Sequence, residues 1–157
     1  LTGVGIVESS GSEIRYLHHQ LIKAPATAPL EIRLQWIHRE LSNIAARFRP
    51  DVVMVERVFL GKNVDSAFKL GHARGVCLLA LSVDGARVFE ISAKEVKKLL
   101  TGNGGASKDQ VRQMVEQWLR VELLEKEMDV SDALSLAISG SFEYEKRLKL
   151  RELQGGL

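Results

Sequence analysis

The segment Val52-Val53-Met54-Val55 restricts the fold more than any other stretch of the chain. It carries three β-branched residues in four and no polar position, so it reads as a strand buried on both faces of a parallel sheet. The neighbouring segments can supply that cover. Ile32, Leu34, Ile37, Leu41, Ile44 and Ala45 recur near a 3.6-residue period and predict an amphipathic helix that ends before Pro50. Asn63 to Val83 reads as a second helix, richer in apolar residues than one sheet face needs, and Val88 to Ile91 as a short strand. Thr2 to Glu8 and Ile14 to Ala24 read as two strands joined through Ser9-Ser10-Gly11-Ser12. Ser92 with Glu95, and Ser107 with Gln110, form S-x-x-E/Q capping boxes that each open a helix, with the glycine-rich Gly102-Asn103-Gly104-Gly105 between them. A last long helix opens at Asp129-Val130-Ser131-Asp132, where Asp129 can act as the cap. The order β-β-α-β-α-β-α-α-α predicts an α/β domain, a mixed sheet with helices on its faces that needs a further strand beside Val52-Val55.

A chain of 157 residues is one domain of ordinary size. Its net charge of +2 says little about partners, but the distribution says more. Between Arg57 and Arg112 there are ten Lys/Arg against five Asp/Glu, either an ordinary solvated helical surface or a surface for nucleic acid. Cys77 is the only cysteine, which excludes an internal disulfide and a thiolate zinc cluster; it reads as a small buried hydrophobe. With no signal peptide and no apolar run long enough for a bilayer, the expected setting is the cytoplasm, with no membrane contact.

Carboxylates carry the chemical signal. Glu56 ends the apolar strand, where a buried acid would cost several kcal/mol unless compensated. Asp129 and Asp132 are three apart and share one helix face, where two like charges repel unless a cation neutralises them. Mg²⁺ suits such oxygen ligands. Acids at a helix start also complement the dipole, so the pair alone leaves both readings open. Acids at a strand end and a helix start, with a basic stretch between, suggest a divalent-metal nuclease site. The glycine-rich loop before Lys108 lacks P-loop spacing, and His18, His19, His38 and His72 form no recognisable ligand set.

The segments Val55-Glu56-Arg57-Val58-Phe59-Leu60-Gly61-Lys62-Asn63 and Asp65-Ser66-Ala67-Phe68-Lys69-Leu70-Gly71-His72-Ala73-Arg74-Gly75-Val76 resemble the RuvC family of Holliday-junction resolvases. Val96-Lys97, Gly102 to Lys108, and Asp129-Val130-Ser131-Asp132-Ala133-Leu134 follow in the family's order, and Thr2-Gly3-Val4-Gly5 looks like the start of its second strand. The resemblance runs to about Gly140. It implies an RNase-H-like nuclease domain over residues 1–140, followed by a helical C-terminal extension over 141–157. It implies a homodimer, built through the Asn63–Val83 helix, that cuts four-way DNA with two Mg²⁺ ions per site, Mn²⁺ being a substitute. Glu56, Asp129 and Asp132 match the family's metal ligands. Lys97 and Lys108 match basic catalytic residues near the scissile phosphate. Phe59 matches an aromatic that stacks on an unpaired base, while Lys62, Asn63 and Ser107 fall in junction-contacting segments. The family works beside the RuvA and RuvB branch-migration proteins.

One feature of the family has no counterpart here. Its further catalytic aspartate, in a Gly-Ile-Asp-Pro-Gly turn after the first strand, is expected upstream of Leu1, and the chain as written is expected to be inactive without it. Two other functions follow from the same residues. One is a non-catalytic junction-binding protein that lacks the first acid. The other is an RNase-H-like nuclease acting on RNA–DNA hybrids or other nucleic-acid structures.

Overall fold

The computed structural model describes residues 1–57, 64–82, 85–124 and 128–154, the last eight of these as backbone. Its elements are β1 (Thr2–Ser10), β2 (Glu13–Ile22), α1 (Leu30–Phe48), β3 (Val52–Glu56), α2 (Val64–Leu81), β4 (Arg87–Ile91), α3 (Ala93–Thr101), α4 (Lys108–Leu119) and α5 (Met128–Gln154). This is the order read from the sequence. β1 and β2 run further into the turn than expected, leaving Gly11 at φ 60° to close it.

The strands form two ladders. β1 pairs antiparallel with β2, Thr2 opposite Ile22 and Ser10 opposite Glu13, with an irregularity at Ile6/Val7. β3 pairs parallel with β4, Val52 opposite Arg87 and Glu56 opposite Ile91. Among the described residues no hydrogen-bonded ladder joins the two pairs. Val53 is buried, but Val52, Met54 and Val55 are only half-buried, so the apolar run is less enclosed than its composition predicts.

Helices cover two faces. Ile37, Leu41 and Ile44 of α1 meet Ala80 of α2 and Ile22 of β2, with Val4 and Ile6 of β1 against them. Leu134 and Ile138 of α5 join Val96 and Leu100 of α3 and Val111 and Val115 of α4 on the other side, with Val7 and Met54 packed beside them. Cys77 is half-buried rather than fully buried, and burial pushes its thiol pKa up against the opposing charge of Arg74.

Side-chain alternation along β1 explains its contact with α5. Val4 and Ile6 face α1 and α2, so Gly3 and Gly5 face α5. A Cβ on Gly3 would lie 2.3 Å from the Asp129 carbonyl oxygen, and one on Gly5 would lie 2.7 Å from the Leu134 amide nitrogen. Bare backbone therefore sets the distance between strand and helix. α5 continues through Gly140, which packs on Met54 of β3, so one helix touches both ladders.

Both expected capping boxes are present. Ser92 accepts from Glu95 N–H while the Glu95 carboxylate takes the Ser92 N–H at 2.8 Å, and Ser107 and Gln110 repeat the arrangement on α4. Such a cap contributes about 1 kcal/mol. Gly102, at φ 76°, closes α3 with its N–H on the Lys98 carbonyl. Asp129 lies inside the first turn of α5 rather than at its cap.

Candidate active site

Glu56 stands at the C-terminal end of β3, and its side chain is exposed. The expectation of a buried acid is therefore corrected: the strand's last residue projects past the packed layers, where water solvates the carboxylate. Arg57 follows it out of the sheet. Its N–H reaches the Ile91 carbonyl at 2.7 Å, and its guanidinium lies near the Glu90 carbonyl and the Glu95 carboxylate. The Glu95 carboxyl is held below its ordinary pKa by the Ser92 hydroxyl and N–H, with a smaller pull from Arg57.

Asp129 and Asp132 occupy the first turns of α5, Asp129 exposed and Asp132 half-buried. Packing beneath them is dense. Val130, Ser131, Ala133 and Leu134 are buried, and the Ser135 hydroxyl donates to the Asp132 carbonyl at 2.7 Å. The two carboxylates thus stand on a fixed helical turn.

Lys108, the first residue of α4, reaches across to Asp132. Its Nζ donates to Asp132 Oδ2 at 3.0 Å, across 24 positions of sequence. The Asp132 hydrogen bond and charge, with smaller pulls from Asp129 and Glu56, outweigh desolvation and raise the Lys108 pKa above that of an ordinary lysine. One ammonium therefore feels all three carboxylates chosen from the sequence. The Ser107–Gln110 box beside it fixes where α4 begins, so the Ser107 hydroxyl is engaged as a cap.

Among the described residues, no three His, Cys, Asp or Glu side chains stand close enough to form a complete metal cage. The donor set nevertheless fits a hard divalent cation. Mg²⁺ keeps several waters and needs only one or two carboxylates, and the site already draws a cation to its acids. Lys97 lies half-buried on α3, and no hydrogen bond or ion pair of its ammonium with these carboxylates is found among the described residues. Phe59, Lys62 and Asn63 lie outside the described residues.

Three residues that shape the site were not singled out from the sequence: Gly3 and Gly5, which admit α5, and Arg74, which hydrogen-bonds the Glu56 carbonyl at 2.9 Å. The glycines do leave a signal. They are spaced i, i+2 on one strand face, opposite a helix start rich in Ser and Ala.

Comparisons with known proteins identify the family of the chain. A family model described as crossover junction endodeoxyribonuclease RuvC matches residues 1–140. The RuvC of Bdellovibrio bacteriovorus is 37% identical over 147 residues, covering 94% of this chain and 87% of the relative. That of Proteus mirabilis is 41% identical over 139 residues, covering 88% of this chain and 79% of the relative. The structure of Thermus thermophilus RuvC in complex with a Holliday-junction substrate superposes with a TM-score of 0.84 at 30% identity, covering 92% of this chain and 88% of that one.

Proposed function

The chain belongs to the RuvC family of crossover junction endodeoxyribonucleases, and from that premise we propose that it resolves four-way DNA junctions in recombination and repair by metal-dependent phosphodiester hydrolysis. It is a nuclease of the hydrolase class with an RNase-H-like α/β fold. The observation that carries the reading is the Lys108 ammonium, held at Asp132 and drawn by Asp129 and Glu56.

Glu56, Asp129 and Asp132 would hold Mg²⁺, with Mn²⁺ as a substitute. When bound, such ions lower the pKa of a water and neutralise charge on the phosphodiester oxygens. The chain's own residues do the rest. The buried turn below Asp129 and Asp132 keeps both carboxylates on one face of α5. Lys108, exposed beyond its bond to Asp132, can turn its ammonium toward a phosphate oxygen and stabilise the charge that develops there. Lys97 would serve a neighbouring phosphate. Phe59 would stack on an unpaired base, with Lys62, Asn63 and Ser107 contacting the junction backbone.

α2 is the proposed homodimer element. Val64, Phe68 and Leu79 are 66%, 65% and 64% exposed, and they border a groove of about 680 Å³ shared with Leu34. Gly71 and Gly75 line the same groove, and a Cβ at either would meet nothing within 4 Å in this protomer. An apolar helix face with bare glycines suits close approach by a second copy, and two-fold symmetry would place two active sites on opposing strands. Phe68→Glu is expected to shift the protein from dimer to monomer in sedimentation at micromolar concentration. An unchanged dimer would reject α2 as the interface. A cytoplasmic setting and partnership with RuvA and RuvB accompany this reading. Among the described residues no helix is long and apolar enough to cross a membrane.

The substrate assignment is tested by comparing mobile four-way junctions with RNA–DNA hybrids of equal length in Mg²⁺, using the full-length protein. Paired nicks in the junction are expected, with little cutting of the hybrid. Preference for the hybrid would overturn it, and binding of junctions without product at any metal concentration would favour a non-catalytic binder.

A further inference from the structure

Arg74 is a charged residue of α2 that the functions above leave unused. Its side chain is 20% exposed, whereas Asp65 and Lys69 on the same helix stand in water at 77% and 59%. Withdrawing a guanidinium from water is unfavourable unless its donors are satisfied. Its Nη1 donates to the main-chain carbonyl of Glu56 at 2.9 Å, and its Nη2 pairs with the Glu90 carboxylate on β4. The fork therefore spans the C-terminal ends of both parallel strands. Arg57 closes the same corner, its N–H on the Ile91 carbonyl at 2.7 Å and its side chain near the Glu90 carbonyl.

The position of the contact gives it a consequence. The carbonyl that Arg74 holds belongs to the peptide leaving Glu56, so the hydrogen bond fixes ψ of Glu56. β3 ends there, and this peptide is held on one side by the Arg57 N–H on the Ile91 carbonyl of β4 and on the other by Arg74. We infer that Arg74 is a positioning residue for Glu56, anchoring its backbone to α2 and β4 so that its carboxylate stays aimed at Asp129, Asp132 and Lys108. The inference rests on reading Glu56 as a metal-holding acid. Glu90 has the supporting role of orienting the guanidinium. Lysine could keep one hydrogen bond to the carbonyl but cannot span both acceptors as the planar fork does.

The test uses the full-length protein and Mn²⁺ titrations without DNA, following free Mn²⁺ by electron paramagnetic resonance. Arg74→Met is expected to raise the Mn²⁺ concentration for half-saturation by about 10-fold, the usual size of such an effect when a residue supporting a metal ligand is lost. Arg74→Lys should fall between it and the parent. The Mg²⁺ concentration for half-maximal junction cleavage should rise in parallel, while junction binding in EDTA changes little. Thermal melting separates this from simple destabilisation, which lowers Tm without moving metal affinity well below the transition. If Arg74→Met fails to fold, Arg74→Lys carries the test alone. Parent-like Mn²⁺ binding by a folded Arg74 variant, while Asp132→Asn weakens it, would overturn the inference and leave the metal site standing. Unchanged Mn²⁺ binding by Asp132→Asn as well would remove both. Altered Mn²⁺ affinity in an enzyme that ignores junctions would uphold Arg74 and reject only the substrate.

Discussion

Asp132→Asn in the full-length protein is expected to lower junction cleavage by roughly 10³-fold, about 4 kcal/mol of transition-state stabilisation, while junction binding stays within a few fold. The substitution keeps the shape of the side chain and an oxygen that can still accept from Lys108 Nζ, so the 3.0 Å contact has no steric reason to open. What disappears is a full negative charge beside the Lys108 ammonium. A hard divalent cation depends on that charge, and a neutral amide oxygen replaces it poorly. Stability should change little, because Asp132 is 46% exposed and Leu134 and Ile138 below it carry the packing. Asp129→Asn should behave alike, with a further loss of about 0.3–1 kcal/mol from weaker complementation of the α5 dipole. Single-turnover cleavage at matched Mg²⁺, paired with gel-shift binding in EDTA, checks both. Parent-like cleavage by the two variants would reject the acid pair as metal ligands.

Gly3→Ala is expected to injure the same site from the opposite side of the contact. Its new Cβ would stand 2.3 Å from the Asp129 carbonyl oxygen and 3.2 Å from the Ala133 Cβ. No rotamer relieves a clash between two backbones, so either β1 or the start of α5 must move. Overpacking of this kind costs about 1–3 kcal/mol, which for a domain of this size lowers Tm by several degrees, at ~2–4 °C per kcal/mol. Displacement of α5 carries Asp129 and Asp132 with it, and a shift near 1 Å in catalytic groups lowers a rate by about 10²-fold. Gly5→Ala provides the comparison. Its Cβ would meet the backbone of Ala133 and Leu134 at 2.7–2.8 Å, directly after Asp132 and one turn past Asp129. It should lower both Tm and cleavage about as much as Gly3→Ala. Parent-like melting and cleavage by Gly3→Ala would show that the strand–helix distance does not set the acid geometry.

The two capping boxes were legible because each is a local event: a serine and a Glu or Gln three residues on close the same helical turn whatever surrounds them. The element order was legible for a similar reason, since periodicity of 2 or 3.6 is written in neighbouring residues. Exposure was harder to read. Glu56 follows four apolar residues, a pattern that predicts burial, yet the strand ends with it and the side chain passes into water. The pairing of Lys108 with Asp132 and the hold of Arg74 on Glu56 join residues 24 and 18 positions apart, and no spacing rule relates such residues.

By itself the sequence determined which segments become strands and helices, where two of the helices begin, and which carboxylates and lysines could serve a metal-dependent nuclease. Those properties follow from propensity, capping and side-chain chemistry, all of which act over a few residues. The tertiary structure decided how the strands pair, how closely β1 approaches α5, and which cation pairs with Asp132. These depend on contacts between distant segments, where a hydrogen atom in place of a methyl group at Gly3 lets the first turn of α5, and the acids on it, take their place.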